Sequence, residues 1–201
     1  MPALEAVKKF AEKLTGWARP SKADLMALVK ERKAHSFRFQ DDGTIPNHPT
    51  WPLIIYRSAV RLPGKLDPAA VFEDLFQRNG WDDSWRNGIY DYVHYHSGIH
   101  EVLGIARGAA KVRFGGRRGR TLALKAGDVA ILPAGTGHQR LSASRDFLVV
   151  GAYPPTGKYD ECTNGEDRER ALKTIQKVVR PRRDPVFGAD GPLLKAWKLR
   201  R

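Results

Sequence analysis

Three histidines and one glutamate in the middle of the chain have the residue types and spacing of a metal-ligand set. His94 and His96 are two residues apart, so in an extended segment both side chains leave by the same face. Glu101 follows a Ser-Gly turn, and His138 follows a Pro-Ala-Gly turn. Imidazole nitrogens with one carboxylate oxygen suit a divalent transition metal. The sequence therefore predicts one mononuclear site, whose ligand types do not distinguish Fe, Mn, Ni, Co and Zn.

Aromatic and polar side chains near these ligands are candidates for a substrate pocket. Tyr90 and Tyr92 have the same strand parity as the first two histidines, so we expect both to project into the same cavity. A tyrosine there could donate a hydrogen bond or act as a general acid, and Tyr92 is the candidate catalytic residue. Trp85 precedes this run and is expected at the mouth of the pocket. Gln139 and Tyr153 complete the predicted lining.

Short apolar or alternating runs separated by glycine-rich turns must position these side chains. Such runs at this spacing are typical of an all-β barrel or sandwich. A strand is also predicted earlier in the chain, at Leu53–Tyr56, after an extended run that begins at His35. The predicted barrel strands are Ile89–His96, Glu101–Arg107, Ala110–Phe114, Thr121–Leu124, Val129–Leu132 and Phe147–Tyr153.

Helices are predicted around the strands. Apolar residues at helical spacing over 4–14, and a second stretch capped by Ser21, indicate an N-terminal helical extension covering residues 1–35. One helix interrupts the strands, with Asp67 as its N-cap and Asn79 near its end. A last helix is expected from about residue 166 to a point before Pro181, followed by a tail with little regular structure. The expected domains are thus 1–35, a single barrel over 36–160, and a C-terminal helix and basic tail over 161–201 packed on the barrel.

The net positive charge lies in the two ends of the chain, the arms of residues 1–40 and 168–201. The 201 residues carry a formal net charge of +13, yet residues 41–167 have fifteen basic and fifteen acidic side chains. Basic arms can attract nucleic acid, but solvated arms are the commoner case and no nucleic-acid-binding motif is present, so nucleic acid is an unlikely partner. No apolar run is long enough for a membrane span. A single cysteine and the lack of a secretory signal favour a cytoplasmic protein.

The spacing of the candidate ligands resembles the two motifs of the cupin superfamily. The stretch Gly88-x5-His94-x-His96-x4-Glu101-x6-Gly108 matches the first motif at every defined position. The stretch Gly127-x5-Pro133-x-Gly135-x2-His138 matches the second motif. A gap of eighteen residues separates the two motifs. One position departs: serine stands at 142, where the motif usually ends in asparagine, which is not a metal ligand. The resemblance implies a double-stranded β-helix, or jelly-roll barrel, with the metal inside it.

A closer resemblance is to the uncharacterised bacterial cupin proteins of the YjlB type, and it covers roughly residues 36–200. The segments that carry it are Asp41–Asn47, Trp85–Asp91, His94–Ser97 and Asp184–Gly188. This family implies a fold and a metal site but no particular reaction. Jelly-roll cupins often pair, so a homodimer is possible.

Function is therefore expected to centre on a small molecule held inside the barrel. Four protein ligands leave two positions of an octahedral metal for water, oxygen or a bidentate substrate. The leading hypothesis is a metal-dependent enzyme with an oxygenase-type reaction, as in similar cupins, and an isomerase or epimerase is a further alternative. A small-ligand-binding or regulatory cupin without turnover is the alternative from another class.

Overall fold

A computed structural model describes residues 16–163, 165 and 167–198. The apolar stripe over residues 4–14, expected to be helical, lies outside the described residues. The helices are α1 Lys22–Leu28, α2 Pro68–Arg78, α3 Arg168–Ile175 and α4 Pro192–Ala196. The strands are β1 Ala34–Phe37, β2 Leu53–Tyr56, β3 Asp82–Asn87, β4 Glu101–Arg107, β5 Ala109–Phe114, β6 Arg120–Lys125, β7 Val129–Leu132, β8 His138–Ala143 and β9 Leu148–Tyr153.

Two antiparallel sheets form the barrel. The larger has the order β1-β2-β7-β4-β9-β3, and the smaller has the order β6-β5-β8. Apolar side chains from both sheets meet between them, among them Ile55 and Leu103 from the large sheet and Val112 and Leu124 from the small one. Because successive strand residues alternate between faces, each strand gives one side to this interior. The predicted mainly β jelly roll is confirmed.

Helix α2 covers the outer face of the large sheet. Asp67 accepts a hydrogen bond from the amide of Ala69 at 3.0 Å, and Pro68 stands at the first helical position, as predicted. The ring of Phe72 lies so close to Gly104 of β4 that a Cβ added there would be 2.4 Å from the ring. This close approach fixes the helix over the strand that begins with Glu101.

One predicted strand is wrong, and the reason bears on the site. The predicted strand over residues 89–96 does not form. The strand of this region is β3, which ends two residues before the predicted one begins and pairs with β9 at the edge of the sheet. The sequence Asp-Asp-Ser-Trp-Arg-Asn of β3 is largely exposed and lacks an apolar alternation, because an edge strand can present both faces to water. Residues 89–96 have no regular strand structure and are joined to the fold by isolated bridges from His94 to His138 and from Tyr95 to Cys162.

The C-terminal segment has more regular structure than the sequence indicates. Asp184 is fully buried, and its carboxylate accepts hydrogen bonds from the Tyr56 hydroxyl and from the amides of Val186, Phe187 and Leu193. The short helix α4 follows and ends at a buried tryptophan, Trp197. Among the described residues, no helix is both long and apolar enough to cross a membrane.

Asp184→Ala is expected to destabilise the protein strongly. The substitution leaves the buried Tyr56 hydroxyl and the amides of Val186 and Phe187 without their acceptor, which costs about 2–4 kcal/mol of unfolding free energy. Urea unfolding followed by tryptophan fluorescence measures the loss. Asp190→Ala, at an exposed carboxylate of the same segment, is the control and should change stability by less than about 0.5 kcal/mol. Equal losses in the two variants would contradict this role.

Candidate metal centre

The four candidate ligands come from the ends of two strands and from the segment between β3 and β4. Glu101 is the first residue of β4, and His138 is the first residue of β8. The amide of His138 donates to the carbonyl of His94 at 2.9 Å, and the reverse hydrogen bond measures 3.2 Å. These two backbone bonds bring the imidazoles of His94 and His138 to a ring-centroid distance of 4.0 Å.

The three imidazoles present one nitrogen each to a common point. Each ring offers one nitrogen, and the three nitrogens lie within 4.8 Å of one another. All three residues are buried. The Nδ1 atoms of His94, His96 and His138 each face a backbone carbonyl, which can only accept a hydrogen bond. These carbonyls belong, in the same order, to Tyr92, Asp160 and Thr136. The proton therefore sits on Nδ1, and Nε2 is left as the ligand atom. His94, His96 and His138 form a possible metal site.

Glu101 adds a carboxylate to this cluster. Its Oε2 atom lies 3.5 Å from Nε2 of His96 and 3.5 Å from Nε2 of His138. Neither Oε2 of Glu101 nor Nε2 of His96 has a hydrogen-bond partner, although both atoms are buried. Buried polar atoms normally have a hydrogen-bond partner. Two neighbouring buried atoms without one are the arrangement expected where a metal ion would bind to both. The four residues fit the group that the cupin motifs imply.

The protonation states follow from burial and from the mutual charges. Burial lowers the pKa of His138 to about 3, and burial also lowers the pKa of His94, so both are neutral near pH 7. Burial opposes the charge on His96 as well, but the Glu101 carboxylate outweighs it and raises the pKa of His96 to about 9. The reciprocal attraction holds the pKa of Glu101 below its usual value despite its burial. A metal ion bound there would displace the proton from Nε2 of His96.

A cavity of about 360 Å³ lies above the four ligands. Its walls combine aromatic and aliphatic side chains with the edge of β3. Besides the ligands, the lining residues are Trp85, Arg86, Asn87, Gly88, Ile89, Tyr90, Leu103, Tyr153 and Tyr159. A concave, largely apolar chamber with a few convergent polar groups is the usual form of a small-molecule site.

The predicted pocket residues divide into two groups. Trp85, Tyr90 and Tyr153 line the cavity. Tyr92 and Gln139 lie outside this lining: the Tyr92 side chain is 42% exposed and its hydroxyl donates to Glu161 at 3.0 Å, while Gln139 donates to a backbone carbonyl at 2.8 Å. Parity arguments do not hold here because residues 89–93 are not in a regular strand.

Trp85 and Tyr153 form a hydrogen-bonded pair on the cavity wall. The indole Nε1 of Trp85 donates to the Tyr153 hydroxyl at 2.9 Å. The indole lies flat over Gly151 of β9, where an added Cβ would be 2.1 Å from the ring. The Tyr153 oxygen accepts from Trp85, and its own proton faces the Glu101 carboxylate at the cavity floor. Burial strongly raises the pKa of Tyr153, which keeps that proton in place.

The segment 158–162, which the sequence did not associate with the site, supports His96. The backbone carbonyl of Asp160 receives the Nδ1 proton of His96. The Asp160 carboxylate accepts from the amides of Ser97 and Gly98 at 2.8 and 2.9 Å. Tyr159 of the same segment lies against the His96 ring at a centroid distance of 4.9 Å. No motif includes this segment, so only the folded chain reveals its proximity to the site.

Comparison with known proteins places the chain in a family. It is 42% identical over 168 residues to the Bacillus subtilis protein YjlB, described as uncharacterized, and the match spans 83% of this chain and 98% of that protein. The chain belongs to the YjlB family. No family model matches it.

Solved structures similar to this YjlB-family chain are cupins of remote sequence. An oxalate decarboxylase from Bacillus subtilis is 19% identical with a TM-score of 0.35, over 57% of this chain and 28% of that one. The WlaRB TDP-quinovose 3,4-ketoisomerase from Campylobacter jejuni is 12% identical with a TM-score of 0.36, over 46% of this chain and 75% of that one. The YjlB-family chain thus spans less than a third of the decarboxylase. Similarities this remote bear on neither substrate nor reaction.

Replacing a ligand histidine is expected to remove the metal and leave the barrel folded. His96→Ala and His138→Ala each delete one nitrogen of the cluster and should weaken binding of added Zn²⁺ about 100-fold or more. Calorimetric titration measures the affinity, and circular dichroism checks the fold. His35→Ala, at an exposed histidine of β1, is the matched control and should bind as the parent does. Undiminished affinity in both ligand variants would refute the assignment.

Proposed function

We propose that this YjlB-family protein is a mononuclear metal-dependent enzyme that acts on a small organic molecule inside the barrel, by an oxygenase-type reaction. The proposed ligands are His94, His96, Glu101 and His138, with one metal per chain. A non-catalytic ligand-binding cupin and an isomerase are the outcomes against which this proposal is tested. A homodimer and a cytoplasmic location, both expected from the sequence, stay predictions.

The observation that carries the proposal is the pair of orphaned buried atoms at the floor of the cavity. Nε2 of His96 and Oε2 of Glu101 have no hydrogen-bond partner and open onto a chamber large enough for a small molecule. A site built only for stability would satisfy these atoms, because each unpaired buried polar group costs about 1–3 kcal/mol. Retained unpaired groups in a cleft are typical of functional sites.

A divalent metal bound there would supply Lewis-acid or oxygen-activating chemistry at the cavity floor. The chain itself contributes positioning and proton control. Tyr153, oriented by Trp85, holds a proton that it can donate to a substrate oxygen above the floor. Tyr90 and Tyr159 stand beside His94 and His96 and limit the access of water.

Metal content is the first test of the proposal. Protein purified without a metal-affinity column should contain about one equivalent of a divalent transition metal per chain, measured by elemental mass spectrometry. Iron would support an oxygenase-type reaction, whereas manganese, nickel or zinc would favour isomerisation or hydration. Protein that is metal-free and also refuses added metal would overturn the enzyme proposal and leave a ligand-binding barrel.

Oxygen consumption separates catalysis from binding. Iron-loaded protein should consume oxygen in the presence of a substrate, and Tyr153→Phe should slow turnover about 100-fold while leaving metal content unchanged, because the variant lacks the hydroxyl that holds the proton and accepts from Trp85 but keeps all four ligands. An oxygen electrode with parallel metal analysis measures both. Leu141→Ala, on an exposed side chain of β8 outside the cavity lining, is the control. Full activity in Tyr153→Phe would remove the tyrosine from the mechanism.

A further inference from the structure

We propose that the cavity above the metal centre selects uncharged planar ring compounds and discriminates against molecules that carry a carboxylate or phosphate outside the metal-binding group. This inference deepens the proposed function, because it names the substrate class of the same site. It stands on the shape and charge of the cavity wall, which belong to the chain itself.

Aromatic rings provide most of the wall that a substrate would touch. Tyr159 lies 5.5 Å from Tyr153 in an edge-to-face arrangement, and Tyr90 is 5.1 Å from the ring of His94. The Trp85 indole continues this wall over β9. Aromatic faces and edges gain about 0.5–1.5 kcal/mol per well-placed ring contact beyond the area that they bury. A flat ring inserted among them makes several such contacts together.

The cavity wall offers no available positive charge to a second anionic group. Arg86 is the one arginine or lysine among the lining residues, and its guanidinium is already occupied. It contacts both carboxylate oxygens of Glu73, at 2.6 and 2.8 Å, and Asp67 at 2.9 Å. These partners raise the pKa of Arg86 above its usual value. Glu73 also contacts Arg19 at 3.2 Å, and Arg19 is bound by Asp74 as well, so three carboxylates offset two cations and the wall near Arg86 is not a site that attracts anions.

A carboxylate placed against the wall, away from the floor, would therefore lose its hydration without gaining a cationic partner. Its neighbours there would be tyrosine and tryptophan rings, whose faces carry negative partial charge, and at the floor the charge of His96 is already offset by the Glu101 carboxylate. Burying an unpaired charge is unfavourable, and such a wall excludes charged analogues as effectively as it accepts neutral ones. A cavity of about 360 Å³ is near the lower end for ligand pockets, which suits one substituted ring.

The test compares two probes that differ by one charge. Catechol and 3,4-dihydroxybenzoate share the ring and its two adjacent hydroxyls, and only the second carries a carboxylate. Calorimetric titration under argon, with metal-free and with zinc-loaded protein, should give about tenfold or tighter binding of catechol in both forms. Equal or tighter binding of 3,4-dihydroxybenzoate, or no binding of either probe to either form, overturns the proposal. Protein that takes up no zinc defeats the proposed function instead, and the metal-free titration still decides the ring preference.

Variants at the wall show whether the rings are responsible. Tyr159→Ala removes one ring and should weaken catechol binding about fivefold, whereas Tyr159→Phe keeps the ring and should restore it. Zinc affinity should stay the same in Tyr159→Phe, which keeps the ring against His96. It is measured in Tyr159→Ala as well, so that any change at the ligand is separated from lost ring contact. Leu141→Ala is the control for a truncation of similar exposure, since Leu141 is 42% and Tyr159 50% exposed. Unchanged catechol affinity in Tyr159→Ala would exclude this wall as the recognition surface.

A charge-release variant tests the role assigned to Arg86. Glu73→Gln has the same shape but removes one of the two carboxylates that offset the guanidinium. Binding of 3,4-dihydroxybenzoate should strengthen about threefold to tenfold, while binding of catechol should not change. If both probes respond alike, the neutralised arginine does not set the preference and the proposal fails on this point.

Discussion

The pair of backbone hydrogen bonds between His94 and His138 is the constraint on which the centre depends. These bonds join a segment without regular structure to the start of β8, and they place two imidazoles side by side inside the barrel. Backbone atoms then receive all three Nδ1 protons of the cluster. The ligand nitrogens are consequently oriented by the main chain, which side-chain substitutions around the site disturb little.

Two opposing free-energy contributions act on the buried candidate ligands Glu101 and His96. Glu101 and His96 are buried as a pair of opposite charges, and their attraction offsets a desolvation that would be costly for either one alone. Each still keeps an atom without a hydrogen bond. The surrounding structure over-determines their positions, through β4 on one side and through Asp160 on the other. A strained polar cluster of this kind persists because the rest of the barrel holds it.

The sequence predicts the ligand set and much of the scaffold for reasons that are local. Metal-ligand spacing is a short-range property, and the N-cap at Asp67 with proline after it defines α2 within a few residues. Strands that are buried, such as Val129–Leu132, carry their apolar signal directly. The polar strand β3 and the segment of Tyr159 are different, because edge pairing and proximity through the fold leave no periodic pattern in the residues themselves. The prediction that Tyr92 lines the cavity assumed strand alternation, which residues 89–93 do not have, so Tyr92 lies outside the lining.

The docking of the C-terminal segment has a consequence for how the protein is made. Trp197 donates to the carbonyl of Pro52, and the Asp184 carboxylate accepts from the hydroxyl of Tyr56, so the earliest buried strand is bound by residues that are synthesised long after it. Contacts between residues about 130 to 145 apart close slowly, because the entropy of a long loop must be lost first. The hydrophobic cluster that contains Tyr56 and Trp197 is therefore complete only after residue 197 has left the ribosome. Until then β2 lacks the cover that the residues around Asp184 and Trp197 provide.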